Sequence, residues 1–320
     1  MNNPSDPTPG QGRPDPGLSA VMSERRQLTN LAYRLLGSLA DAEDVVQETY
    51  ARWYARSPQQ RSAVDSPGAW LTTVASRICL DQLGSARARR ERYVGEWLPE
   101  PLPDRTEWIS GRAGAGVIDP ADRVTLDESV HMAFLVVLEA MTPAERVAFI
   151  LHDVFRYPFA EVAEIVGRTP EACRQLASSA RRRIRAAQPD AASRPDAVAA
   201  ARRADVVRAF KQAWEAKDID ALVGLLAPDA TATGDGGGLV TAALHPVEGA
   251  EQVARFFADR AGAATAAATL VERTVNGQPG LVAQRDGVTV SVMAFDITGD
   301  RIHRIWAVLN PDKLRFWTRD

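Results

Sequence analysis

Hydrophobic residues recur at helical spacing through residues 18–187, and the pattern changes in kind after that point. A first helical segment begins at Leu18, carries Leu28 towards a core and ends at Gly37. We expect Asp41 to cap a second helix, because a short acidic side chain suits that position. The pattern therefore predicts a bundle of helices at the start of the chain.

The stretch from 141 to 187 predicts two short helices that present a third. Residues 143–154 and 158–166 each carry apolar positions along one face. Gly167 can end the second of these helices in the left-handed conformation, and Thr169 can cap the next one. This order of elements is a helix-turn-helix, which places its last helix in the major groove of DNA.

The last of these helices has an apolar face and a polar face. The polar face consists of Glu171, Arg174, Gln175, Ser178, Arg181, Arg182 and Arg185. Arginine can read guanine edges or hold phosphate, and glutamine can pair with adenine. The alternative is a solvated basic face on an ordinary bundle helix. Because the glycine turn, the cap and the polar face agree, we interpret this face as DNA-binding.

Two more surfaces lie on the predicted second and third helices. The second helix has an acidic edge formed by Asp41, Asp44, Gln47 and Glu48. Solvation and the positive end of the helix dipole explain that edge on their own. The third helix carries Trp70, Thr73 and Arg77, with further arginines downstream. An aromatic side chain beside arginines suits unstacked bases, although a single tryptophan more often belongs to a core.

Composition qualifies this picture without overturning it. A chain of 320 residues with 45% hydrophobic content has room for two or three domains with real cores. The net charge of -3 argues against nucleic acid only as an average, because the arginines are clustered. Cys79 and Cys173 are too few for a zinc site or a disulfide framework. Since no signal peptide or membrane-spanning run is present, we expect a soluble, cytoplasmic protein.

After a break at residues 188–195, helices give way to strands. Three helices are expected, at 206–214, 219–226 and 249–263. Residues 288–295 and 302–309 then alternate as two strands, joined in a hairpin through Thr298-Gly299-Asp300. Helices followed by paired antiparallel strands predict an α+β domain.

The helical part resembles bacterial RNA polymerase sigma factors of the extracytoplasmic-function family. The resemblance rests on residues 41–48, residues 67–71 and the helix-turn-helix, in matching order and spacing. It implies that the acidic edge binds core RNA polymerase, with contacts to the β′ and β subunits. It also implies that the third helix reads the −10 promoter element and the last helix the −35 element. Arg77 and the run 174–176 depart from many members, so the promoter sequence is not implied.

The resemblance assigns residues to each of these surfaces. For −35 DNA they are Arg168, Thr169, Glu171, Arg174, Gln175, Ser178, Arg181 and Arg182. For −10 DNA they are Trp70, Thr73, Arg77, Arg87 and Arg90. For core polymerase they are Asp41, Asp44, Gln47 and Glu48. We expect no catalytic residue, cofactor, metal or membrane contact.

The tail resembles the SnoaL-like branch of the cone-shaped nuclear-transport-factor-like fold, in which a curved sheet surrounds a pocket. Sigma factors with such a tail form the sigma J-like subgroup. Three short signatures recur here: Trp97-Leu98-Pro99-Glu100-Pro101, Asp235-Gly236-Gly237-Gly238 and Asn310-Pro311-Asp312-Lys313-Leu314. The resemblance implies that the tail regulates the sigma part within one chain.

Physical arguments add detail to these signatures. A linker dense in proline cannot be helical, and Trp97 and Leu98 are costly to leave in water, so we expect them to dock. The glycines after Asp235 favour a flexible turn whose backbone approaches another surface. Lys313 is expected to meet Glu100 or the acidic edge.

The predicted fold class is multidomain: two all-α helical domains, the second with the helix-turn-helix, followed by an α+β SnoaL-like cone domain. The boundaries are 1–17 for a disordered tail, 18–92 for sigma region 2, 93–123 for a Pro/Gly-rich linker, 124–187 for sigma region 4, 188–203 for a second linker and 204–320 for the SnoaL-like regulatory domain.

Two other functions are weighed against a sigma factor. A SnoaL-like cyclase or isomerase fused to a DNA-binding module would use a pocket acid or base, for which His245, Asp235, Asp296 and His303 are available. No paired spacing singles them out, so a structural role is favoured for each. A ligand-responsive one-component regulator would not need a separate −10-type domain. We therefore expect a transcription initiation factor that is not an enzyme.

Overall fold

The computed structural model describes five stretches of the chain. They are residues 16–90, 93–103, 130–187, 197–263 and 268–317, without the side chains of 16–23, 86–90, 197 and 261–263. Most of the predicted N-terminal tail, linker residues 104–123 and the side chains of Arg87 and Arg90 therefore lie outside the described residues.

The first bundle follows the predicted order of helices. Its helices are α1 (Pro16–Leu36), α2 (Leu39–Tyr54), α3 (Pro58–Ser62) and α4 (Pro67–Arg90). The predicted cap of α2 is wrong: the Oγ of Ser38 accepts the Asp41 N–H at 3.2 Å, so Ser38 is the N-cap. The helix begins earlier because Leu39 is buried and belongs to its apolar face.

The second bundle contains the predicted helix-turn-helix. Its helices are α5 (Met132–Glu139), α6 (Pro143–Phe149), α7 (Phe159–Val166) and α8 (Pro170–Ala187). The single α-helix predicted over 143–154 is wrong in its second half, where Ile150–Val154 forms a π-helical turn. In this wider turn the Phe155 N–H reaches the Ile150 carbonyl oxygen at 3.1 Å, while Ile150, Leu151 and Val154 all remain buried.

The two bundles pack against each other around one hydrophobic core. Leu31 and Leu83 of the first bundle belong to the same buried cluster as Ile150 and Cys173 of the second. Buried Arg146 of α6 also crosses the boundary, because it donates to a carbonyl oxygen at the end of α1 at 2.9 Å. Burial lowers the pKa of Arg146 to about 9.

The C-terminal domain is a six-stranded sheet whose inner face carries the helices. The helices are α9 (Ala197–Ala216), α10 (Ile219–Leu225) and α11 (Ala250–Ala263). The strands are β1 (Leu226–Asp235), β2 (Val247–Glu248), β3 (Thr269–Val275), β4 (Gln278–Arg285), β5 (Val288–Thr298) and β6 (Arg301–Val308). Their order is β2-β1-β6-β5-β4-β3, with β1 and β6 parallel and the other pairs antiparallel.

The predicted hairpin is confirmed, because Thr298 pairs with Arg301 where β5 turns into β6. The predicted helix over 219–226 is one residue too long, since Leu226 already pairs with Ile302 in the sheet. Strands β1, β2, β3 and β4 were not predicted. None of the helices in the described stretches has the length and apolar character needed to cross a membrane.

Both faces of the sheet are buried. On the inner face, Leu281, Met293 and Phe295 join the core around Phe210 of α9. On the outer face, the alternate residues pack against the linker and α5. This outer cluster consists of Leu98, Met132, Val275, Val282, Val292, Ala294, Trp306, Val308 and Leu314. The sheet therefore joins the C-terminal domain to the helical part of the chain.

Candidate nucleic-acid interface and its contacts with the C-terminal domain

The helix-turn-helix is formed by α7 and α8. Gly167 follows α7 with a φ of 68°, the left-handed conformation expected there. The Oγ1 of Thr169 accepts a hydrogen bond from the Ala172 N–H at 3.2 Å, as an N-cap does. Cys173 and Ala180, on the apolar face of α8, are fully buried. The apolar face thus fixes α8 in place, and its polar face lies at the surface.

Most residues predicted to contact −35 DNA are exposed on this surface. The exposed ones are Arg168, Thr169, Glu171, Arg174, Gln175, Ser178 and Arg182. Arg174 forms an ion pair with Glu171 at 2.6 Å. Arg181 differs from the rest, because its Nε and Nη2 bind the Asp153 carboxylate at 2.6 and 3.2 Å. Contacts of these side chains with DNA stay a prediction.

The predicted −10 residues with described side chains lie on α4. Trp70 is half-buried, and its ring centre lies 5.1 Å from that of Trp53. The Oγ1 of Thr73 donates to a carbonyl oxygen one turn earlier at 2.9 Å. The Nη2 of Arg77 donates to the Glu164 carbonyl oxygen of α7 at 3.0 Å. Arg77 therefore ties α4 directly to the helix-turn-helix.

The acidic edge of α2 lies at the surface of the first bundle. Asp44, Gln47 and Glu48 are exposed, and Asp41 is half-buried. Glu48 forms an ion pair with Arg52 at 2.8 Å, in which both side chains are about half exposed. Such exposed pairs contribute little to stability, so this ion pair alone does not account for the edge. Its contact with polymerase stays a prediction.

Asp235, the last residue of β1, holds the linker. Its Oδ1 accepts the Tyr93 hydroxyl at 2.6 Å, and its Oδ2 accepts the Leu98 N–H at 2.9 Å. Oδ2 also pairs with the Nζ of Lys313 at 2.6 Å. The Lys313 ammonium donates to the Leu98 carbonyl oxygen and lies 4.1 Å from the ring centre of Trp97. The Gly237 N–H also donates to Oδ1 at 3.1 Å, so the buried carboxylate is matched by a cation and by three further donors.

The glycines after Asp235 permit this close approach. Gly237 has a φ of 63°, and a Cβ there would collide with the side-chain amide of Asn310. That amide donates to the Tyr93 hydroxyl at 2.8 Å. Burial raises the pKa of Tyr93, and the hydrogen bond to Asp235 raises it further, so the hydroxyl remains a donor. The Asp235 cluster comprises Tyr93, Trp97, Leu98, Asp235, Asn310 and Lys313.

Glu100, from the same linker run, faces the first bundle. Its Oε2 accepts the Leu39 N–H at 2.7 Å at the start of α2. The side chain is only 2% exposed, and this burial raises its pKa to about 7. Lys313, which was expected to meet Glu100 or the acidic edge, forms its ion pair with the fully buried Asp235, and its charge also acts on Glu100, where it opposes the rise in pKa.

Sequence reasoning missed Asn276, at the turn between β3 and β4. Its Oδ1 accepts the Leu102 N–H at 3.0 Å, and its Nδ2 donates to the Val130 carbonyl oxygen at 2.8 Å. The same Nδ2 donates to the Tyr33 hydroxyl at 3.0 Å, and Tyr33 donates to the Glu100 carbonyl oxygen at 2.7 Å. One buried amide therefore joins the C-terminal domain to the linker and to both bundles.

The four residues weighed for catalysis lie in different surroundings, although the charge of His303 acts on Asp296. Asp235 is engaged by the linker, and His245 is exposed in the loop before β2. Asp296 lies 3.9 Å from Arg304, and burial raises the pKa of its carboxyl group. His303 is half-buried on β6.

Comparisons with known proteins agree with this architecture. Residues 20–89 match Sigma-70 region 2, residues 131–184 match Sigma-70 region 4, and residues 207–308 match the SnoaL-like domain. Two helical sigma regions followed by this domain define a class of transcription initiation factors. The chain belongs to the extracytoplasmic-function (ECF) RNA polymerase sigma factors, which bind core RNA polymerase and promoter DNA.

Two relatives match the chain over nearly its whole length. The chain is 39% identical over 307 residues to the ECF RNA polymerase sigma factor SigJ of Mycobacterium tuberculosis, covering 92% of each protein. It is 35% identical over 306 residues to a probable ECF RNA polymerase sigma factor, SigI, of the same organism, covering 94% of this chain and 95% of that one. The crystal structure of SigJ superposes with a TM-score of 0.68 at 35% identity, covering 93% of this chain and 98% of the other.

Proposed function

We propose that this sigma factor is held by its own C-terminal domain in a closed arrangement that cannot engage a promoter. The observation that carries the proposal is the hydrogen bond from Arg77 to the Glu164 carbonyl oxygen, which brings the −10 helix α4 against the helix-turn-helix. The −10 and −35 elements lie roughly 25 base pairs apart, or about 85 Å at 3.4 Å per base pair. Two readers in direct contact do not span that distance, so they must separate.

The C-terminal domain holds the linker between the readers at two places. The Asp235 cluster binds the Leu98 N–H, and Asn276 binds the Leu102 N–H. The segment between them is buried, including Glu100 and Leu102. An extended linker is needed for the bundles to move apart, and both contacts oppose its extension. The domain thus regulates the sigma part from within the chain.

The energetics suit a reversible switch. Two parts of one chain meet at an effective concentration on the order of mM, so modest contacts suffice for closure. Reversing such an equilibrium from 1:99 to 99:1 takes about 5.5 kcal/mol of differential binding. Core polymerase and promoter DNA together can supply that amount.

The surfaces keep the roles that the family resemblance implies. In this proposal the acidic edge of α2 binds core polymerase at β′ and β, and α8 reads −35 DNA with Arg174 and Gln175. Trp70 and Arg77 serve the −10 element once α4 is released from α7. The exposure of Arg174, Gln175 and Asp44 supports these roles. The domain boundaries predicted above are part of the same proposal.

The test measures the distance between the bundles and transcription in parallel. Spin labels at Ser62→Cys and Ala186→Cys, both exposed, report the separation of the two bundles. The native cysteines are buried, so labelling is confined to the introduced sites. The perturbing variant is Lys313→Met, which leaves the Asp235 carboxylate buried without its cation until the linker undocks. Its control is Lys211→Met, a lysine of the same domain 4.0 Å from Glu272.

We expect Lys313→Met to lengthen the inter-bundle distance and to raise run-off transcription with core polymerase. Trp97→Ala should act in the same direction, because Trp97 packs on the Lys313 ammonium. Lys211→Met should change neither readout. Identical distances in all four proteins would show that the C-terminal domain does not control bundle spacing. Point variants are preferable to truncation, since removal of the domain exposes Leu98 and Met132.

A further inference from the structure

The C-terminal domain contains a cavity with a volume of about 620 Å³. It lies between α11 and the inner face of the sheet, and it is large enough for a small organic molecule. Its walls are mainly apolar. The larger apolar side chains that line it are Trp214, Phe256, Phe257, Met293, Ile305, Leu309 and Leu314.

The charged side chains among the described lining residues are both arginines. Arg260 lies on α11 and Arg285 at the end of β4, and both are exposed, which places them at the mouth. The guanidinium carbon of Arg260 lies 3.5 Å from the ring centre of Phe256, so an aromatic wall positions this cation. Thr289 and Ser291 add hydroxyl groups to the lining. The mouth is thus suited to an anion.

Apolar side chains are also exposed among the lining residues and in the loop that carries Val240. Val240 and Val288 line the cavity and are 39% and 54% exposed. Leu239 and Leu244, in the same loop as Val240, are exposed as well. Apolar residues grouped at a rim are typical of ligand-binding grooves.

We propose that this cavity binds a small amphipathic organic acid, with its apolar body among the aromatic walls and its carboxylate at Arg260 and Arg285. Guanidinium groups bind carboxylates through paired, charge-assisted hydrogen bonds. Among the described lining residues there is no Asp or Glu to repel the anion. The apolar walls favour the body of the ligand, and the arginines select its charge.

The cavity shares structure with the Asp235 cluster. Gly234, which lines it, directly precedes Asp235, and Pro311 and Leu314 line it on either side of Lys313. The Asp235–Lys313 pair fixes these segments in the closed arrangement. A ligand that contacts them favours the arrangement that positions them. The acid therefore acts as a corepressor that stabilises closure, and this second half of the inference rests on the proposed function.

Binding is tested with decanoate and 1-decanol, which share an apolar chain and differ in charge. Isothermal titration of the full chain should show one saturable site for decanoate. The alcohol should bind to it at least about tenfold more weakly than decanoate does. Arg260→Gln and Arg285→Gln should each weaken decanoate about tenfold and leave the alcohol unchanged. The matched control is Arg255→Gln, an exposed arginine on the same helix that pairs with Glu251 at 2.5 Å.

A second variant addresses the location of the site. Ala243→Trp places a large ring on the loop that lines the cavity, and should abolish binding of both probes. The absence of saturable decanoate binding, equal affinity for acid and alcohol, or equal loss in the Arg255→Gln control would each overturn the proposed site.

The regulatory half has its own readout, the inter-bundle distance described above. Decanoate should lower transcription in the wild-type chain and shorten the mean distance in the opened Trp97→Ala chain, and Arg260→Gln should remove both effects at the same concentration. Decanoate that binds without changing the distance would refute the corepressor role and leave the binding site intact. Failure of Lys313→Met to change the distance would instead refute the proposed function, while the titration still decides the site.

Discussion

Asn276→Gly isolates the contribution of one buried side chain to closure. Asn276 has a φ of 50°, and Gly277 follows with a φ of 76°. Glycine adopts such backbone conformations without strain, so the turn itself is preserved. The substitution removes only the amide that binds Leu102, Val130 and Tyr33. The change thus tests the contact rather than the fold of the hairpin.

The expected loss in the free energy of closure follows from the buried groups that lose a hydrogen-bond partner. Leu102 loses the acceptor of its N–H and Val130 a donor to its carbonyl oxygen, while Tyr33 still donates to Glu100. Each buried group left unsatisfied costs about 1–3 kcal/mol. Two such groups weaken closure by about 2–6 kcal/mol, which is a shift of at least tenfold in the closed-to-open ratio.

The assay is the inter-bundle distance distribution, with run-off transcription as the functional counterpart. The control is Asp286→Gly at the β4–β5 turn, where Asp286 has a φ of 51° and Gly287 a φ of 78°. This turn has the same backbone geometry, and both of its residues are exposed. Only Asn276→Gly should populate long distances. An unchanged distribution in Asn276→Gly, or an equal change in Asp286→Gly, would refute the role given to this amide.

Three further predictions concern the other surfaces. Arg174→Ala should weaken −35 binding by roughly 1–3 kcal/mol and relax base choice at one position. Mobility-shift assays with single-base changes in the −35 element measure this, and unaltered base discrimination would contradict the predicted orientation of α8 towards the DNA. Asp44→Arg combined with Glu48→Arg should abolish capture of core polymerase without changing the circular dichroism spectrum, and retained capture would remove that assignment. Glu100→Gln should stabilise the closed chain by about 3 kcal/mol at pH 8, because the pKa of Glu100 is raised from 4.5 to about 7 and its buried charge is a cost above pH 7. That advantage should fall away as the pH drops from 7 to 4.5, so an equal melting-temperature gain at pH 8 and pH 5 would contradict it.

The helix-turn-helix was predictable because its signals are local. Gly167 and Thr169 act through their own backbone conformations and neighbouring N–H groups, which a single sequence displays. Strand β1 was missed because Pro228 and Asp229 interrupt its pattern, and both are poor strand formers. The turn at Asn276 was readable in principle, since Asn-Gly is a strong hairpin signal.

The contacts between domains were predictable only in part. The expectation that the linker docks is confirmed for Leu98, which is buried, since an apolar side chain on a linker needs cover. The specific side-chain partners of the linker were not predicted, because they lie far away in the sequence. Tyr93 meets Asp235 across 142 positions, and Asn276 meets Tyr33 across 243. No spacing rule links such residues, so Asp235 was not foreseen as the ion-pair partner of Lys313.

The outer face of the sheet has a consequence for how such proteins can be recombined. Val282, Val292 and Trp306 form an apolar surface that Leu98 and Met132 cover. A C-terminal domain grafted onto an unrelated sigma factor carries this surface without its cover and is prone to aggregate. The domain is therefore not an interchangeable cassette. Substitutions at the outer face have to be matched by substitutions in the linker and α5, so we expect these segments to be inherited together.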